Sequence, residues 1–197
     1  NFIQNNNVEM IAGSVIYKTK NNWFHHFQQF DMLSLQGTTI GSFGIDKPFM
    51  CNGANFIYTK KLFNELDGFN GNDKISSGDD VFLLQKAVAS RNFGTNKVHY
   101  LKNAQTTVKT KPENDLFTFF MQRVRWAAKS TGYKSTYAQF LAIVVFLMNL
   151  SLVVGCWLLI VGKVKFETLF AVFIIKYLVD FFLINKANVF FIKKKLI

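Results

Sequence analysis

Cysteine, histidine, proline and acid are all scarce in this sequence of 197 residues, and each scarcity closes a class of protein. Two cysteines make no disulfide framework, since Cys51 falls in an expected strand and Cys156 inside an apolar run. That usage fits a reducing compartment. The three histidines, His25, His26 and His99, lack further ligands at the spacing a zinc site needs, so packing or surface roles are expected. Two prolines and no internal repeat leave no low-complexity segment beyond the Asn-rich start. Twelve Asp and Glu stand against 23 Lys and Arg, a net charge of +11. The basic residues are dispersed and carry no recognition motif, so no nucleic-acid partner is expected. Gly37 to Pro48 reads as a loop, and without a Lys-Ser/Thr ending it is not a Walker-type phosphate cradle. Asp67 to Asp73 lacks the EF-hand spacing and terminal Glu, and reads as a turn-rich loop. Asn1 to Asn7 has neither the basic nor the apolar region of a secretory signal, and no Met opens the chain. The segment reads as the C-terminal part of something longer.

Apolar length is what the chain has in abundance, with 23 Phe and 50% hydrophobic residues. Ala138 to Gly162 runs without a charge and is long enough to cross a bilayer with some tilt. Phe166 to Ile184 is expected as a second span, with Lys176 and Asp180 placed to pair at i,i+4. Lys186 and Lys193-Lys194-Lys195 follow in a basic tail, 185–197. Residues 1–137 carry 16 basic and 10 acidic side chains, and the rest 7 and 2, around the apolar runs. This pattern suits anionic lipid headgroups and places both ends on the cytoplasmic side.

Short strands are expected at Val8 to Gly13 and Ser14 to Tyr17, then a helix from Trp23 to Gln36 with its aromatics on one side. Phe49 to Cys51 reads as a buried strand entering Asn52-Gly53-Ala54-Asn55, and Phe56 to Thr59 continues extended. A short helix is expected from Lys60 to Leu66, stopped near Gly68. Strands follow at Lys97 to Leu101 and Gln105 to Thr110. Asp115 to Tyr133 reads as an apolar, basic helix of the kind that lies in a membrane interface, within a segment 115–137.

Two motifs carry chemistry. Ser76-Ser77-Gly78-Asp79-Asp80 opens a helical run to Ser90, with Ser76 or Ser77 as a candidate N-cap. Read alone, the acids could merely complement the helix dipole. Gln122-Arg123-Val124-Arg125-Trp126 places Gln122, Arg125 and Trp126 at i, i+3 and i+4 on one face. Arg offers a donor fork for diphosphate, Trp a plane for a sugar ring, and Gln hydrogen bonds to hydroxyls. Read alone, this too could be an interfacial aromatic–basic belt. Together, a carboxylate able to take a hydroxyl proton and cations facing a departing diphosphate are the equipment for sugar transfer from a nucleotide diphosphate.

On Asn52-Gly53-Ala54-Asn55, Gly68-Phe69, Ser77-Gly78-Asp79-Asp80 and Gln122-Arg123-Val124-Arg125-Trp126 ahead of apolar spans, the chain resembles the C-terminal half of a membrane-bound family 2 glycosyltransferase. The likeness covers about residues 8 to 137 and is to the cellulose, hyaluronan and chitin synthase group. It implies an α/β fold: residues 1–114 as the acceptor-side half of a GT-A domain, then the interfacial helix, then spans at 138–162 and 166–184. It implies an inverting transferase with Asp80 as general base and Asp79 in the place of the family's usual Glu. Gln122, Arg123, Arg125 and Trp126 would bind donor diphosphate and acceptor. Asn52, Gly53 and Asn55 would line the acceptor pocket. The partners implied are a UDP- or GDP-sugar, a saccharide or lipid-linked acceptor, and membrane lipid. The location implied is the inner or plasma membrane, with the catalytic part cytoplasmic. Mg²⁺ or Mn²⁺ would bind an Asp-x-Asp in a preceding nucleotide-binding half. No Asp-x-Asp occurs in these residues, so they alone are not expected to bind a nucleotide sugar well or to be active. A non-catalytic two-span protein that binds anionic lipid through its basic helix is the alternative.

Overall fold

In the computed structural model the described residues are 6–71, 78–90, 92–130 and 132–192. β1 (Met10–Gly13) and β2 (Val15–Tyr17) follow one another, and every residue in both is buried. Such unbroken burial matches strands covered on both faces. At Ser14 the chain leaves one sheet for the other. β1 is the centre of a three-stranded sheet, antiparallel to β3 (Phe56–Tyr58) and parallel to β4 (Val98–Leu101). β2 pairs in parallel with β5 (Val108–Thr110), Ile16 opposite Lys109.

Around the sheets lie α1 (Trp23–Gly44), α2 (Lys60–Glu65), α3 (Asp79–Ala89) and α4 (Leu116–Ser130). Asn22 caps α1 through Phe24 N–H and Thr59 caps α2 through Leu62 N–H, each satisfying an orphan donor. The main core sets Met10, Leu62, Leu83 and Leu84 between the sheet and α2–α3. Each fully buried side chain of this kind stabilises by about 1.5–3 kcal/mol. A second cluster, Ile16, Leu33, Ala187 and Phe191, joins β2 and α1 to the end of the last helix.

Several expectations need correction. α1 does not stop at Gln36: it continues through Gly37, Gly41 and Gly44, where a loop was expected. Glycine inside a helix costs roughly 0.5–1 kcal/mol. Here packing offsets it, because a Cβ on Gly37 would sit 2.9 Å from Leu183 Cδ1 of the last helix. The small residue lets the two helices meet. The aromatics of α1 divide: Phe24 is buried, whereas Trp23, Phe27 and Phe30 are exposed, and the inward side also carries His25, Gln28, Gln29, Met32, Leu33 and Gln36. Phe49 and Cys51 are buried without joining a strand. The expected strand from Gln105 begins as a 3₁₀ turn, Ala104–Thr106, because the Asn103 side chain accepts from Gln105 N–H and bends the chain. The N-cap of α3 is Gly78, with φ 107° and no side-chain bond, whereas Ser76 and Ser77 lie outside the described residues.

Ser135 caps α5 (Thr136–Ile160), which among the described residues is the one helix long and apolar enough to cross a membrane. The expected second span is longer than predicted: α6 runs Phe166–Phe191. Among the described residues α6 is not such a helix, which revises the two-span expectation to one. Lys176 and Asp180 do pair along it, and its last turns bury Ala187, Asn188 and Phe191 against the globular part.

Candidate active site

The left-handed turn at Gly78 starts α3 so that Asp79 and Asp80 occupy its first turn. Asp80 is held from two sides. Its Oδ2 accepts from Gly53 N–H at 2.7 Å and its Oδ1 from Val81 N–H at 2.9 Å. Each oxygen keeps a further lone pair for another donor. Gly53 is needed in that contact, because a Cβ there would lie 3.2 Å from Asp80 Oδ2. Asp79 beside it is exposed.

Asp80 borders a cavity of about 390 Å³ whose walls include Asp31, Asn52, Arg123, Trp126 and Tyr133. Met32, Leu35 and Met50 make part of it apolar. Wider hollows exist, one of about 600 Å³ beside Tyr137 and one of about 660 Å³ between α5 and α6. Neither contains the acid pair or the Gln-x-x-Arg-Trp residues, so chemistry rather than size singles out the smaller one.

α4 brings its motif to the cavity differently from the sequence expectation. Arg123, not Arg125, is the wall residue. Its guanidinium pairs with Asp31 of α1 and donates to Gln122 Oε1 at 2.7 Å. It lies 4.1 Å from the Trp126 ring centre and 4.4 Å from that of Phe119. Such cation–ring stacking fixes the Trp126 plane through a charge that is itself anchored. Gln122 belongs to the scaffold: Nε2 donates to Glu113 Oε1 at 2.6 Å, and Oε1 also accepts from Tyr17 O–H at 3.5 Å. The Glu113 backbone is clasped in both directions by the buried amide of Gln28, at 2.9 Å each way. Arg125 is exposed and does not line the cavity.

On the opposite wall Asn52 lines the cavity and accepts from Ala54 N–H at 3.0 Å. Asn55 does not line it. Its amide nitrogen donates to Ser14 O and Thr106 O, both at 2.9 Å, tying the two sheets together. A Cβ on Gly13 would come within 2.4 Å of that amide, so the strap is built over a glycine.

Asp31 and Tyr133 were not anticipated. Asp31 is the lone acid of α1, on a helix with no other counter-ion for Arg123, and that isolation was a usable signal. Tyr133 had none in the sequence, because it enters the cavity from the linker after α4. Gln85 holds that linker, accepting from Lys134 N–H at 2.9 Å and donating to Phe49 O at 3.2 Å. Burial pushes the Tyr133 phenol up to about 12, and the Asp80 carboxylate adds to the rise. At neutral pH it is therefore a protonated O–H donor beside Asp80.

The implied divalent cation does not fit the described residues. No group of three His, Cys, Asp or Glu among them is placed to hold a metal. Asp79 is the one acid beside Asp80 in the first turn of α3.

The chain is a mixed α/β unit with an acid-bordered cavity and an appended long apolar helix. The family model described as glycosyl transferase family group 2 matches residues 1–190, and the chain belongs to that family. No curated protein and no solved structure matches it.

Proposed function

We propose that the chain is the acceptor-side part of an inverting, membrane-bound glycosyltransferase with a GT-A catalytic domain, in which Asp80 is the general base. The observation that carries this is Asp80, oriented by two backbone N–H groups at the edge of a cavity walled by Trp126. The acceptor sugar stacks on Trp126 with its hydroxyl against Asp80. The hydroxyl oxygen bonds to the anomeric carbon of a UDP- or GDP-sugar as the bond to the diphosphate breaks. The hydroxyl proton passes to Asp80 and the electron pair leaves with the diphosphate. Back-side displacement inverts the anomeric centre. Arg125 meets the diphosphate, while Gln122 and Arg123 serve by fixing Trp126. Tyr133 donates its O–H to an acceptor or to Asp80. Asn52 and Gly53 shape the acceptor side. The acceptor is a saccharide or a lipid-linked sugar, and the catalytic part faces the cytoplasm, with α4 lying in the membrane interface.

Asp80→Asn in the complete enzyme tests this. Transfer should be abolished while nucleotide-sugar binding persists, because the amide keeps the size of the carboxylate but takes no proton. Retained turnover would remove Asp80 as base.

A further inference from the structure

The cavity beside Asp80 extends well past the acid. Asp31, Met32, Leu35, Gln36 and Thr39 of α1 all line it. Their spacing keeps them to one side of the helix, over about 12 Å of its axis. At the Asp31 end stands Arg123, with the Trp126 ring stacked against it as a plane for a sugar. Farther along α1 the lining offers less to a hydroxyl. Leu35 is apolar, and Thr39 Oγ1 donates to Leu35 O at 2.8 Å, within its own helix. Met32 and Met50 add apolar surface. A sugar hydroxyl set against such a wall would lose water without gaining a partner.

One buried polar group on this stretch is only half used. Gln36 is 4% exposed and lines the cavity. Its Oε1 accepts from Tyr100 O–H at 3.0 Å, which fixes the amide plane and turns Nε2 the other way. Among the described residues no hydrogen bond engages that nitrogen. A buried donor without an acceptor is costly, so a ligand that supplies one is favoured. A carbonyl bonded to a methyl group fits both features. Its oxygen accepts from Gln36 Nε2, and its methyl lies against Leu35 and the methionines. A hydroxyl would suit the donor but not the apolar lining, and an alkyl group the reverse. At about 390 Å³ the cavity is near the small end of ligand sites. It suits a sugar with a short acyl group rather than a long chain.

We propose that the acceptor is an N-acetylated amino sugar, with its ring on Trp126 and its acetamido group between Gln36 and the apolar lining of Met32, Leu35 and Met50. This rests on the acceptor-side reading of the cavity and narrows it to one substrate class. Gln36 is then a specificity-determining residue, and Tyr100 is the residue that positions it.

Sugar binding by the full chain in detergent micelles gives the test. The probes are methyl glycosides of N-acetylglucosamine and N-acetylgalactosamine, each beside its parent hexose. Emission of the parent chain minus that of Trp126→Phe isolates the signal at Trp126. In at least one pair the N-acetyl sugar should bind roughly tenfold or more tightly than the hexose. Gln36→Glu keeps the size of the side chain and the acceptor for Tyr100 O–H but lacks the N–H₂. It should bring the N-acetyl sugar down to the hexose's affinity and leave the hexose unmoved. If that variant does not fold, Met50→Ser should narrow the same preference from the apolar side. Equal affinity for both members of both pairs would overturn the proposal while leaving a sugar on Trp126 in place. A methyl 6-deoxyhexoside bound as tightly as the N-acetyl sugar would overturn it in favour of a bare methyl group. A preference that survives both substitutions would overturn the placement of the acetamido group. If no probe changes the Trp126 signal, the acceptor-side reading fails with it.

Discussion

Replacing Gly53 with Ala should damage catalysis far more than folding. Gly53 is exposed, so little packing depends on it. Its N–H, however, reaches Asp80 Oδ2 at 2.7 Å, and an added Cβ would meet that oxygen at 3.2 Å. Carbon and carboxylate oxygen must separate by a few tenths of an ångström, and the bond lengthens with them. Hydrogen bonds to charged groups contribute about 1.5–3 kcal/mol. If the contact is lost outright and Asp80 swings with it, that range corresponds to roughly a tenfold to hundredfold fall in rate. A stretched bond falls short of that ceiling. Single-turnover sugar transfer by the complete membrane-embedded enzyme should show the fall in kcat, with donor KM unchanged and the thermal midpoint close to the parent's. Parental turnover would refute the idea that Gly53 orients Asp80. A parallel collapse of stability would refute the claim that its role is confined to the site.

Arg123→Lys keeps a charge for Asp31 but removes the planar stack against Trp126 and Phe119. A loss of about 0.5–2 kcal/mol of cation–ring interaction should raise acceptor KM by roughly twofold to thirtyfold and leave donor binding intact; an unchanged KM would disconnect Arg123 from the acceptor. In alkali, Tyr100 and Tyr133 are both pushed up to about 12 from an ordinary 10, chiefly by burial. The folded chain then keeps protons that the unfolded chain has lost, so stability is complete below pH 10 and falls as pH rises towards 12. Denaturant midpoints across that window should fall together with the appearance of phenolate absorbance, and Tyr133→Phe should make the fall shallower. A flat profile would contradict the burial of both phenols.

Legibility differed by element. Strand and helix positions near β1, β2, α2 and α3 follow from local pattern, because alternation, apolar runs and turn residues there agree with the tertiary packing. α1 is the contrary case. Gly37, Gly41 and Gly44 look like a loop by propensity, yet the helix continues through them, and at Gly37 it packs closely on Leu183, far along the chain. Periodicity shows that the aromatics of α1 share a side, but not whether that side faces the core. The Gln-x-x-Arg-Trp motif was legible as a helix face. Its division of labour was not, since Asp31, Phe119 and Glu113 decide which arginine turns inward.

Sequence alone determined the α/β character, the acid pair at a helix start, the aromatic–basic motif and the long charge-free run of α5. Each is a local property, set by residue type and spacing within a turn or two. Tertiary structure decided that Gly53 clasps Asp80, that Asn55 ties two sheets, that Tyr133 joins the cavity and that α6 returns to pack on α1. These contacts join residues 27 or more positions apart. Their geometry depends on how whole elements pack, which no local pattern encodes.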